Sequence, residues 1–124
     1  MKHSPGFLKL VEEARGRVKE IPPVEASERL AKNPKAVLID IREDHEWEDG
    51  HVRGAVHLGR GILERDLETK YPDTKAELIL YCGGGFRAAL SADAVTRMGY
   101  SNVVSLAGGY KALVKEGWPI EGQA

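Results

Sequence analysis

The stretch Glu77-Leu78-Ile79-Leu80-Tyr81-Cys82-Gly83-Gly84-Gly85-Phe86-Arg87-Ala88-Ala89-Leu90 decides how this chain is read. From Leu78 to Cys82 every residue is apolar or aromatic, and turn chemistry follows at once. Such a run predicts a strand buried on both faces, as in a parallel sheet. Ala88, Ala89, Leu90, Ala92, Ala94, Val95 and Met98 then recur at helical spacing, and Gly99 marks the stop. Cys82, the single cysteine of the chain, therefore stands where a strand ends and a helix begins.

The first N–H groups of a helix lack intrahelical partners and carry the positive end of its dipole, so an anion is stabilised there. A cysteine so placed is available as thiolate, its nucleophilic form. Gly83, Gly84 and Gly85 fit the same picture. Three adjacent glycines sacrifice backbone entropy and are expected where the chain adopts positive φ and brings bare N–H groups against a bound group. Arg87 is a cation in the first helical turn, against the dipole, and local rules broken in this way tend to mark sites. The plainer reading is a glycine-containing turn, an inert buried thiol and a solvated arginine. The conjunction of all three at one junction favours chemistry.

Two phosphate motifs compete for these glycines. Gly83, Gly85 and Ala88 match the spacing G-x-G-x-x-[G/A], but the acidic residue expected about 20 positions later is absent from Val103 to Gly109. The phosphate-loop pattern G-x-x-x-x-G-K-[ST] fails outright. A nucleotide site is disfavoured.

At 124 residues, 42% hydrophobic and 30% charged, the chain has the length of one domain with one core. Its net charge of −1 gives no sign of a nucleic-acid or membrane partner. One cysteine cannot form an internal disulfide, which fits a reducing compartment, and the first residues match neither a signal peptide nor a membrane span. A cytoplasmic protein is expected.

Phe7, Val11, Ala14 and Val18 share one face of a predicted amphipathic helix over residues 5–19, begun by Pro5. This helix should cover the domain or a second subunit. Residues 1–19 are thus read as an N-terminal extension and residues 20–124 as the main domain. After Pro22 and Pro23 a second helix is predicted over Val24 to Lys32, then a strand from Ala36 to Ile41. Charged Arg42 to Asp49 reads as one helical turn, Ala55 to Leu58 as a short strand, and Leu63, Leu67 and Tyr71 as the face of a third helix ended by Pro72. Beyond the central element, Asn102 to Leu106 is a further strand and Tyr110 to Lys115 a further helix. Strands alternating with helices imply an α/β fold: an open sheet of about five mostly parallel strands flanked by helices.

Ligands of such sheets bind beyond the carboxyl ends of the strands. Asp40 and Arg42 should share that edge with Cys82, with both side chains on one side of an extended chain. They either pair with each other or cap the following turn, or they take a direct part in the site. The histidines are too scattered to form a metal pattern with Cys82, His45 reads as a surface residue, and Trp47 and Trp118 as packing residues.

Asp40-Ile41-Arg42-Glu43 resembles the Asp-Val-Arg motif of the rhodaneses, Gly50-His51-Val52-Arg53-Gly54-Ala55 their Gly-His-x-x-Gly-Ala motif, and Leu106-Ala107-Gly108-Gly109 their Leu-x-Gly-Gly. The chain resembles a single-domain rhodanese over about residues 20 to 120. The resemblance implies a sulfurtransferase without cofactor or metal: Cys82 takes a sulfane sulfur from a small donor, holds it as a persulfide and passes it to cyanide, a thiol or a sulfur-accepting protein. The binding loop would be Gly83, Gly84, Gly85, Phe86 and Arg87, with backbone amides around the outer sulfur. No cation directly follows Cys82, unlike typical thiosulfate-using members, and the Cys-Gly-x-Gly opening is nearer to loops that take 3-mercaptopyruvate. Arg53 and Leu113 stand where the family often has proline and tryptophan. Phosphatases and arsenate reductases of the same fold have a longer loop, Cys-x5-Arg, whereas four residues separate Cys82 from Arg87. Regulatory, non-catalytic modules of this family usually lack the cysteine.

Overall fold

A computed structural model describes residues 2–122. In chain order the elements are α1 (Pro5–Arg15), β1 (Lys19–Ile21), α2 (Pro23–Lys32), β2 (Val37–Asp40), α3 (Asp44–Glu48), β3 (His51–Val52), β4 (Val56–His57), α4 (Arg60–Lys70), β5 (Leu78–Tyr81), α5 (Phe86–Arg97), β6 (Val103–Leu106), α6 (Gly109–Lys115) and β7 (Ile120–Glu121). Five strands form one parallel sheet in the order β1-β6-β5-β2-β4, and β3 pairs with β7 in a small antiparallel ladder.

β5 lies at the centre because all four of its residues can be buried. Leu78 and Leu80 face a core layer with Leu63 and Leu67 of α4 and Ala88, Ala92 and Val95 of α5. Ile79 and Tyr81 face the other layer, with Ala26 of α2 and Leu113 of α6. Each fully buried Leu or Ile contributes roughly 1.5–3 kcal/mol, so this short strand anchors both layers. The chain leaves β2 toward β4 and leaves β5 toward β6, so connections depart on opposite sides and a crevice opens between these two carboxyl ends. Asp40 lies beside Tyr81 there, and Cys82 is the next residue.

The first helix is shorter than its apolar pattern predicts. It ends at Arg15, and residues 19–21 join the sheet edge beside β6, with Ile21 opposite Leu106. Lys19 and Glu20 are exposed on this edge, so helical periodicity carried through them without contradiction. Val11 and Ala14 of α1 pack on Ala89 of α5, with Phe7, Phe86 and Leu90 around them. Arg17 then fastens the chain to α5 through Asp93, at 3.0 Å from Nε and 2.8 Å from Nη2. Among the described residues, no helix is long and apolar enough to cross a membrane.

Candidate active site

Cys82 leaves β5 at the sheet edge and α5 begins four residues later. The thiol is only 1% exposed, at the bottom of the loop rather than on its rim. Its Sγ accepts the N–H of Gly85 at 3.0 Å and of Ala88 at 3.3 Å. Among the described residues, no protein acceptor takes the N–H groups of Gly83, Gly84, Phe86 or Arg87. Two N–H donors thus converge on the sulfur, and the four unpartnered amides of the same loop are open to a bound anion.

Of the three glycines only Gly85 has positive φ, at +99°, which turns the chain into α5. At Gly83 a Cβ would be tight instead, lying 3.0 Å from Arg87 Nη2, the end of a side chain that Glu46 holds in place. Gly84 meets nothing closer than the Phe86 ring at 3.8 Å, so its lack of a side chain leaves the loop backbone bare.

The Leu106-Ala107-Gly108-Gly109 motif shapes this loop from behind. The N–H groups of Tyr110 and Lys111, at the start of α6, donate to the carbonyls of Cys82 (2.6 Å) and Gly83 (3.2 Å). Because these peptides are trans, the N–H groups of Gly83 and Gly84 face the opposite way. Gly109 permits the approach. A Cβ there would stand 2.5 Å from the Cys82 carbonyl oxygen, and its φ is +58°.

Arg87 lies over Gly83 with its charge already matched. Its Nη1 and Nη2 donate to Glu46 of α3 at 2.8 and 3.1 Å, and Glu46 Oε1 also accepts the N–H of Glu43. The hydrogen bonds from Arg87 hold the Glu46 carboxyl down to about 2, and the same pairing raises the guanidinium of Arg87. This resolves the cation that opposes the helix dipole. Glu46 was hidden in a charged run, and its capping position three residues after Glu43 was the one signal that it had a fixed place.

Asp40 and Arg42 pair with each other, both buried. Arg42 donates from Nε and Nη2 to the Asp40 carboxylate, its backbone N–H bonds Oδ1 at 2.9 Å, and Nη2 also reaches the Gly50 carbonyl at 2.8 Å. The guanidinium stacks 4.0 Å from the Tyr110 ring centroid. The pair thus ties β2 to α6 under the loop. Trp47 stacks on His51 and His57, whose ring nitrogens donate to the carbonyls of Trp47 and Arg42. These groups brace α3, which presents Glu46.

One part of the surroundings was not legible as such. The Phe86 ring is flanked by His3 at 4.4 Å, by Phe7 at 6.3 Å and by the Arg15 guanidinium at 4.9 Å, all from the N-terminal segment.

Comparison with known families matches residues 23–116 to the Rhodanese-like domain. The chain belongs to the rhodanese-like family. This rhodanese-like chain is 33% identical to the thiosulfate sulfurtransferase GlpE of Stutzerimonas stutzeri, over 75% of its own length and 82% of that protein's. It is also 33% identical to the probable adenylyltransferase/sulfurtransferase MoeZ of Mycobacterium tuberculosis over 80% of its length, and 36% identical to the tRNA uridine(34) hydroxylase of Bacillus pumilus over 73%. It spans only 25% of MoeZ and 29% of the hydroxylase. A solved structure from Rhodopseudomonas palustris, described as a possible tyrosine phosphatase, superposes with a TM-score of 0.82 at 29% identity and covers 98% of both chains. The rhodanese-like sheet of five parallel strands and the sulfurtransferase relationship at family level follow from these matches.

Proposed function

We propose that this rhodanese-like protein is a sulfurtransferase that carries a sulfane sulfur on Cys82. The observation that supports it most is the loop's set of N–H donors: Gly85 and Ala88 already address Sγ, and four further N–H groups have no protein acceptor among the described residues. With thiosulfate as donor, the Cys82 thiolate attacks the outer sulfur. A sulfur–sulfur bond to Sγ forms, the bond within thiosulfate breaks, and sulfite leaves with the electron pair. The persulfide's outer sulfur then sits among the unpartnered amides. Cyanide attacks that sulfur, thiocyanate departs, and the thiolate returns. A thiol acceptor, or a protein thiol, follows the same course and leaves as a persulfide. A nucleophile kept as free thiol suits a cytoplasmic setting.

The second reading is phosphoryl or arsenate chemistry, which the description of the Rhodopseudomonas palustris protein brings into view. Two features weigh against it here. The loop between Cys82 and Arg87 is one residue short of the Cys-x5-Arg pattern, and both Nη nitrogens of Arg87 are engaged by Glu46 instead of facing an oxyanion.

Intact mass after incubation with thiosulfate, 3-mercaptopyruvate or polysulfide is the test. A gain of one sulfur atom, removed by cyanide and absent in Cys82→Ala, is expected. No gain from any of these donors, or robust hydrolysis of aryl phosphates by the unmodified chain, would reverse the ranking.

A further inference from the structure

Small sulfur donors carry their transferable sulfur on an anionic group, and that group leaves with extra electron density when the sulfur departs. A site for them needs a cation near the thiol with hydrogen-bond donors still open to the anion. The loop does not provide one, since residues 83–86 are uncharged and Arg87 is neutralised by Glu46. A second guanidinium reaches the loop from outside residues 23–116, the span shared with the family. This is Arg15, the last residue of α1.

Arg15 stacks on Phe86, and its Nη2 lies 3.8 Å from the position a Cβ would take on Gly85, the residue whose N–H donates to Cys82 Sγ. The two guanidinium groups thus mark opposite ends of the glycine run, Arg87 at Gly83 and Arg15 at Gly85. Both are ion-paired, but in different ways. Arg87 makes two short hydrogen bonds to one carboxylate, whereas Arg15 has a single ion-pair partner among the described residues, Glu20, which faces its Nε at 3.3 Å. Among the described residues no protein acceptor takes the Nη edge of Arg15, and about a third of the side chain meets solvent. Its position is fixed from two sides, by Val11 and Ala14 against Ala89 before it and by the Arg17–Asp93 pair after it.

We propose that Arg15 binds the anionic end of the sulfur donor, so that α1 completes the donor site of the Cys82 loop. This rests on the sulfur-transfer reading and specifies it: the preferred donor is a small anion whose charged end is an oxyanion, sulfonate-like or carboxylate, the geometry that a guanidinium edge takes with two parallel hydrogen bonds. The cation is present in the ground state, draws the donor in, and stabilises the charge that grows on the leaving group as the sulfur–sulfur bond breaks.

The test compares persulfidation of Cys82 by thiosulfate with alkylation of the same thiol by neutral iodoacetamide in wild type, Arg15→Gln and Arg15→Lys. For Arg15→Gln, kcat/KM with thiosulfate should fall about tenfold, mainly through KM, as expected for one partly exposed charged hydrogen-bonding group. Its salt dependence should flatten, the alkylation rate should stay within about twofold, and Arg15→Lys should recover part of the thiosulfate loss. Equal losses in both reactions would assign Arg15 a structural role and overturn the proposal alone, as would an unchanged KM for thiosulfate. A wild type that takes sulfur from polysulfide but not from thiosulfate would also overturn it alone. Failure to take sulfur from either donor would overturn the sulfur-transfer reading with it.

Discussion

Glu46 and Arg87 meet through two parallel hydrogen bonds of 2.8 and 3.1 Å, joining a five-residue helix before the central strand to the first turn of the helix after it. The cation that the loop carries toward its own helix dipole is thereby cancelled by a residue 41 positions earlier.

Glu46→Gln should remove that cancellation. Both side chains are roughly a quarter to a third exposed, so the loss in stability is about 1–2 kcal/mol, between the surface and buried cases. The pH dependence has a definite sign. The Glu46 carboxyl is held down to about 2 in the fold against 4.5 unperturbed, so acid protonates the unfolded chain first. Its contribution is complete above about pH 4.5 and is lost as pH falls toward 2. Urea midpoints from pH 6 to about pH 2.5 should fall more gently in Glu46→Gln than in wild type. Parallel curves would show that the pair contributes nothing to stability.

Gly109→Ala should be far worse than Gly99→Ala. Both glycines have positive φ, but a Cβ on Gly99 meets nothing within 4 Å while one on Gly109 collides with Cys82 and Gly83 backbone. Strained φ alone costs about 1–2 kcal/mol, and the collision adds displacement of the loop. Thermal denaturation and sulfur uptake should both register Gly109→Ala, whereas Gly99→Ala should leave uptake intact. Equal uptake in the two variants would remove α6 from the account of the loop.

Lengthening the loop by a glycine between Gly85 and Phe86 should abolish sulfur uptake, because the Gly85 and Ala88 amides no longer converge on Sγ. Loop length is not the whole barrier to oxyanion binding, since Arg87 remains occupied. Phosphate affinity, read by isothermal titration, should appear only when the insertion is combined with Glu46→Gln. Tight phosphate binding by the insertion variant alone would contradict this.

Removing residues 1–18 leaves β1 in the sheet but strips α1 from α5. Burial of Val11, Ala14 and Ala89 is lost, and Asp93 keeps only Arg97 at 2.9 Å. Stability should drop by roughly 2–4 kcal/mol after the recovered chain entropy is counted, with lower solubility. Unchanged denaturation midpoints would mean that α1 packs without stabilising.

The α/β alternation and the place of Cys82 could be read directly because β5 and α5 carry their own signals: four consecutive buried residues, then alanine-rich helical spacing. β1 could not, since Lys19 and Glu20 are exposed and only register with Val104, Ser105 and Leu106 makes them a strand. The two-residue strands β3 and β7 are likewise created by their pairing with each other. Within the site, the same division holds. The nucleophile and its glycines are contiguous, whereas Glu46, Arg15 and the amides of Tyr110 and Lys111 arrive from distant elements and leave no mark of their destination in local spacing. Positive φ was expected across all three loop glycines and is present at Gly85 alone; Gly83 lies close under Arg87, and Gly84 leaves bare backbone.

The clasp of Tyr110 and Lys111 on the Cys82 and Gly83 carbonyls also sets an order in time. On the ribosome the nucleophile emerges more than twenty residues ahead of the donors that orient its loop. A nascent chain can therefore assemble β2 beside β5 while the Cys82 and Gly83 carbonyls still lack their partners from α6. The loop is clasped last, when α6 docks.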